Sequence, residues 1–124
     1  FRFLSAGEDE ILKARLEKIV ASQTIPGTRS QITVNNSRPA MPQNPANTAL
    51  FNRIKVLADE LKITVKPELR QGVSDANIIA LAGIPVIDGL GPIGAKDHSE
   101  DEYIQKSSLP ERAILFGNIL ACIE

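Results

Sequence analysis

Short runs of β-branched and other apolar residues alternate along this chain with stretches whose apolar residues recur every three or four positions, and Gly, Pro and Asn stand between them. That alternation predicts an α/β chain with α+β character in its first portion. A further observation points the same way: Ile84 to Ile87 is a continuous apolar run, the pattern of a strand covered on both faces by helices.

Taken in order, Phe1-Arg2-Phe3-Leu4 alternates as a strand does and has no lead-in, so the chain is expected to be a piece of a longer protein that begins inside an element. Glu8, Asp9 and Glu10 put negative charge where a helix N-terminus favours it, and Leu12, Leu16, Ile19 and Val20 follow at helical spacing, which predicts a helix over 8–22. Thr24-Ile25-Pro26-Gly27-Thr28 is turn chemistry, and a strand is expected from Gln31 to Arg38 around Ile32, Thr33 and Val34. Pro39, Pro42 and Pro45 deny regular structure, placing a domain boundary within 38–46. Asn47 or Thr48 then caps a helix reaching about Lys62, with Leu50, Ile54, Leu57 and Leu61 on one face. A short strand over Ile63-Thr64-Val65-Lys66 comes next. Ser74 is placed to cap a helix through Ile78, Ile79 and Leu81 that Gly83 closes, and Ile84 to Ile87 is the last strand. Ser108-Leu109-Pro110-Glu111 reads as a capping box opening a helix whose apolar positions are Ile114, Phe116, Ile119, Leu120 and Ile123.

The composition narrows the function. The chain has 124 residues, 43 % of them hydrophobic, with 14 basic against 15 acidic side chains, as a modest globular chain would. No basic cluster is present to meet nucleic acid or an anionic membrane, so neither is an expected partner. No apolar run is long enough to span a bilayer, and the start lacks the sections of a signal peptide. The single Cys122 excludes an internal disulfide framework and fits a reducing compartment, which makes the cytoplasm the expected location; on an apolar helical face, it reads as core and not as a nucleophile. Gly89, Gly91 and Gly94 do not have the spacing of a dinucleotide or P-loop motif. His98 is the only imidazole, and by residue chemistry alone a single loop histidine is a solvated or hydrogen-bonded side chain.

Several pieces occur together in one order: Ser74-Asp75-Ala76-Asn77, Gly83-Ile84-Pro85, Asp88-Gly89-Leu90-Gly91-Pro92, and His98-Ser99-Glu100-Asp101-Glu102-Tyr103, preceded by Arg38-Pro39 and by Arg2. In this arrangement the chain resembles the C-terminal third of the zinc-dependent glutamate carboxypeptidase, aminoacylase and succinyl-diaminopimelate desuccinylase family. The resemblance implies that residues 1–38 are the second, β-α-β half of a ferredoxin-like lid or dimerisation domain, and 39–124 the C-terminal segment of a zinc-peptidase-like catalytic domain. It implies zinc, two ions in the complete protein, with His98 as one ligand; a further His, a bridging Asp, two more carboxylates and a glutamate general base would come from residues outside this chain. In such enzymes metal-bound water attacks an amide carbonyl.

The substrate so implied is a small peptide or N-acyl amino acid with a free carboxylate, a group that the planar fork of Arg matches. By similarity Arg2, Arg38, Arg70, Gly72 and Ser74 form the substrate-binding set, Arg70 serving equally well as a surface cation. Three positions depart from the family pattern. No acid precedes Arg2 at the usual place, Val73 stands where a second glycine is common, and Lys96-Asp97 replaces a glycine-rich run before His98. With the sheet of a half-lid unpaired, a homodimer or strand-exchanged oligomer is expected, and the chain alone is expected to be inactive and to bind zinc weakly. The alternative is a non-catalytic dimerisation or interaction module derived from the same hydrolase fold.

Overall fold

The computed structural model describes residues 2–35 and 38–122. Among them are helices α1 (Ala6–Ala21), α2 (Pro45–Glu60), α3 (Ala76–Leu81) and α4 (Ser108–Cys122), and a small antiparallel hairpin of β1 (Gly94–Ala95) and β2 (Tyr103–Ile104), in register Gly94 to Ile104 and Ala95 to Tyr103. The helices lie where the apolar spacing puts them. The β part of the α/β expectation is corrected: the described residues of the four expected strands (1–4, 31–38, 63–66 and 84–87) form no ladder, so of the expected β-α-β unit only the helix forms among the described residues. Strand composition offers a pleated surface, but a strand exists only where another backbone takes up its hydrogen bonds. Phe1 of the first expected strand, Asn36 and Ser37 of the second, and Ile123 of the last helix lie outside the described residues.

The chain forms two compact units, Phe1–Gln43 with Arg70–Ile84, and Asn44–Leu69 with Pro85–Glu124. In the first, α1 begins earlier than its acids suggest because Ser5 caps it. The Ser5 hydroxyl accepts the Glu8 N–H at 3.2 Å, and the Glu8 carboxylate reaches back to the Leu4 N–H at 2.6 Å. This is a variant of the capping box, with the Glu8 carboxylate taking the N–H one residue before the cap, and the Ser5-x-x-Glu8 spacing in the sequence is its signature. Leu12, Leu16 and Val20 make the half-buried stripe of α1, while Ile11 and Ile19 are exposed. The Pro26-Gly27 turn forms as its residues dictate, with Gly27 at φ 81° and Thr28 N–H donating to Ile25 C=O.

The second unit carries the apolar core. Ile54 and Ala58 of α2 meet Leu115 and Ile119 of α4, with Ile63 beside them and Leu50, Leu57, Leu61, Val65, Ile87 and Leu90 packed around. Asn44 caps α2 by accepting the Asn47 N–H at 2.8 Å, and Pro45 fills the first helical position, where its missing N–H costs nothing. The helix closes on a Schellman motif: Ile63 N–H donates to Ala58 C=O at 2.8 Å and Lys62 N–H to Asp59 C=O at 3.0 Å, with Lys62 at φ 58°. Asn47, expected as a cap, is instead 6 % exposed inside the first turn, where its side-chain oxygen accepts the Val86 N–H at 3.0 Å. That bond takes a donor which a β-ladder over 84–87 would have used. Cys122, expected in the core, is exposed.

Candidate functional site

In the first unit the residue before Pro39 and the loop before α3 come together. The Arg38 Nη1 donates to Asp75 Oδ1 at 2.6 Å and to the Ser74 carbonyl at 3.3 Å. Asn77 adds two bonds, its Nδ2 donating to the Pro39 carbonyl at 2.8 Å and its Oδ1 accepting the Ser74 N–H at 2.9 Å. Arg38 and Ser74, two of the expected substrate-binding residues, are therefore neighbours. The Arg38 Nε and Nη2 make no hydrogen bond to the described residues, and the side chain is 38 % exposed. A guanidinium held by one nitrogen keeps the Nε–Nη2 edge for a planar, two-oxygen anion such as a carboxylate.

The N–H groups of Ser74 and Ala76 are committed locally. Ser74 Oγ accepts the Ala76 N–H at 3.2 Å, as the expected capping role of Ser74 requires, although the residue immediately before the helix is Asp75. The N–H groups of Asn77 and Ile78 turn to the carbonyls of Ser74 and Asp75. Arg70 and Gly72 lie exposed in the same unit, with Arg70 engaged in interactions of its own, and Arg2 is exposed near the start of the chain. The sequence reading missed Asn77. Its signal was the pairing of a carboxamide three residues after Ser74 with a proline-anchored segment, but that pairing joins positions 38 apart and has no local spacing.

In the second unit, His98 sits on the loop between β1 and β2. Lys96 and His98 both adopt left-handed backbone, at φ 64° and 65°, a conformation costing a non-glycine residue about 1 kcal/mol or more. The loop compensates with its own bonds. Ser99 donates its N–H and hydroxyl to the Lys96 carbonyl, Glu102 accepts the His98 N–H at 3.2 Å, and Lys96 pairs with Asp101 at 3.1 Å. Below the loop, Gly94 packs so tightly on the Tyr103 carbonyl that no Cβ fits. Ser108 anchors the base: 3 % exposed, its hydroxyl accepts the Ile93 N–H at 2.9 Å and donates to the Gln105 carbonyl at 2.6 Å. The hydroxyl read as the start of a capping box thus clamps the hairpin onto α4. The loop presents an exposed imidazole on a braced backbone.

Three or more His, Cys, Asp or Glu side chains arranged to hold an ion do not occur among the described residues. The chemistry of the donor set fits one imidazole of a metal centre, and the described residues do not compose a centre by themselves; a lone exposed His leaves the remaining positions of a tetrahedral ion unfilled.

Residues 6–121 match the sequence profile of peptidase family M20/M25/M40. The chain belongs to that family. The match bears out the resemblance carried by the Ser74-to-Asn77 and Asp88-to-Tyr103 motifs. Among the relatives of this M20/M25/M40 chain is carboxypeptidase G2 of Pseudomonas sp. (strain RS-16), 29 % identical over 107 residues, which are 85 % of this chain and 26 % of that protein. The chain thus spans about a quarter of the length of the curated relative it matches. No solved structure matches it. Within the family, the matched stretch contains Arg38, Arg70, Gly72, Ser74 and His98 and leaves out Arg2.

Proposed function

We propose that this chain is part of a zinc-dependent peptidase or amidohydrolase of the carboxypeptidase type, acting on small peptides or N-acyl amino acids with a free carboxylate. The observation that carries the reading is the family match from residue 6 to 121, which takes in both the Arg38 cluster and the His98 loop. On this reading His98 supplies one imidazole to a metal centre whose other ligands and general base lie outside these residues. Zinc, when bound, polarises the scissile carbonyl and its water. The chain's own contribution is to hold the imidazole on a braced loop and to present a substrate-binding set of Arg2, Arg38, Arg70, Gly72 and Ser74. The Arg38–Ser74 juxtaposition and the unspent edge of Arg38 support the carboxylate part of the proposal. In the same reading, 1–38 belongs to a lid or dimer-forming domain, 39–124 to the catalytic domain, and the protein works in the cytoplasm as a homodimer.

A second reading, a non-catalytic dimerisation or interaction module, draws on a different observation: Leu109, Phe116 and Leu120 of α4 are apolar and 45–68 % exposed. One experiment separates the two. The longest product of the gene containing this chain is purified, and its zinc content and hydrolysis of N-acyl amino acids and short peptides are measured before and after chelation. Zinc-dependent turnover abolished by His98→Ala is the expected result; a folded protein with neither zinc nor turnover would establish the interaction module instead.

A further inference from the structure

We infer that Asn77 is a positioning residue for Arg38, the side chain that sets where this guanidinium presents its open edge. The inference rests on the reading of Arg38 as a carboxylate ligand and adds the group that holds it. Two segments distant in sequence meet here. The most visible link between them, the Arg38–Asp75 ion pair, has partners 38 % and 85 % exposed, and a pair so solvated contributes little. The part-buried Asn77 carboxamide is better placed to hold the register. It donates to the Pro39 carbonyl at 2.8 Å and accepts from the Ser74 N–H at 2.9 Å, so one rigid planar group fixes both segments at once. A carboxamide offers that donor and acceptor on separate atoms of one planar group; a carboxylate would accept from Ser74 and leave the Pro39 carbonyl without a donor.

The consequence reaches Arg38 through the backbone. A residue preceding proline is confined to extended conformations, so pinning Pro39 also fixes the direction in which the Arg38 side chain leaves the chain. Its Nη1 then falls on Ser74 and Asp75, and the Nε–Nη2 edge, without a hydrogen bond to the described residues, is left for a carboxylate.

The test uses the whole 124-residue chain and N-acetylglycine as the probe, read by NMR of the arginine side-chain nitrogens. In Asn77→Ala, rotation of the Arg38 guanidinium is expected to speed up and the affinity for N-acetylglycine to fall about five- to tenfold, the size of one lost hydrogen bond, while amide exchange in α2 and α4 is unchanged. Asn77→Ala with Arg38 rotation and affinity at their original values would overturn the positioning role. An independent measurement needs no variant: the unsubstituted chain should show nuclear Overhauser contacts from the Asn77 side-chain amide protons to Pro39 or Ala40, and their absence would also overturn it. If N-acetylglycine moves no Arg38 signal while Asn77→Ala still frees the guanidinium, the carboxylate reading fails and the positioning role stands.

Discussion

Lys62 occupies the position after α2 that glycine fills at least cost, with φ 58°. Relief of the left-handed penalty is partly offset by the greater freedom that glycine brings to the unfolded chain, so Lys62→Gly is expected to raise stability by about 0.5–1 kcal/mol, read as a higher urea midpoint at unchanged slope. Arg112 invites the opposite kind of change. Its side chain is 13 % exposed, Nε is buried without a hydrogen bond to the described residues, Glu111 stands 3.6 Å away, and its hydrogen bond to the Thr64 carbonyl is long at 3.4 Å. Replacing a poorly satisfied, partly buried cation by an apolar side chain of similar length is neutral or favourable, so Arg112→Met should leave the urea midpoint unchanged or raise it. Residue type foretold some of these roles and misassigned others. Gly27 does what Pro-Gly implies because both partners of its turn are adjacent in sequence. Ser108 was legible as a hydroxyl at a helix start, but its partner Ile93 lies fifteen residues back, and no local spacing reveals a bond of that reach.

Among the elements, the helices were legible because each is specified within its own sequence: caps at one end, apolar spacing along the face. The boundary of α1 shows how little is needed to move one. With Ser5 and Glu8 recognised as reciprocal caps, the start shifts to Ala6, and Ser5→Ala is expected to cost about 1 kcal/mol, seen as faster amide exchange in the first turn of α1. The strands were not legible for the converse reason. Ile84 to Ile87 has the composition of a buried strand, yet the Val86 N–H goes to Asn47, and only the folded chain shows that competition. The hairpin that does form lies where the sequence placed only a loop, the one carrying His98. Its register depends on Gly94, where an added Cβ would press into the Tyr103 carbonyl; Gly94→Ala should cost about 1–3 kcal/mol and disperse the amide shifts of Lys96–Glu102, His98 included.

Taken whole, the molecule buries little for its length. Among the described residues the buried apolar cluster lies in the second unit, the first burying Ala76, and Ile11, Ile19, Leu81, Phe116 and Leu120 are each at least half exposed. Exposed apolar area of this extent marks surfaces that associate, so sedimentation of the isolated chain is expected to show concentration-dependent self-association, lessened by Leu120→Lys. After passage through a desalting column, the same preparation is expected to retain far less than one zinc per chain, since His98 has no companion ligands among the described residues. The discontinuous build of the second unit also dictates the order in which it can form. The apolar face of α2 is completed by Leu115 and Ile119 of α4, and Asn47 finds Val86 only 39 residues further on. During synthesis the packing of α2 is therefore complete only when α3 and the hairpin have been made and α4 follows. A nascent chain halted before Ser108 lacks Leu115 and Ile119, the α4 share of this core, and exposes part of the α2 face to any chaperone it meets.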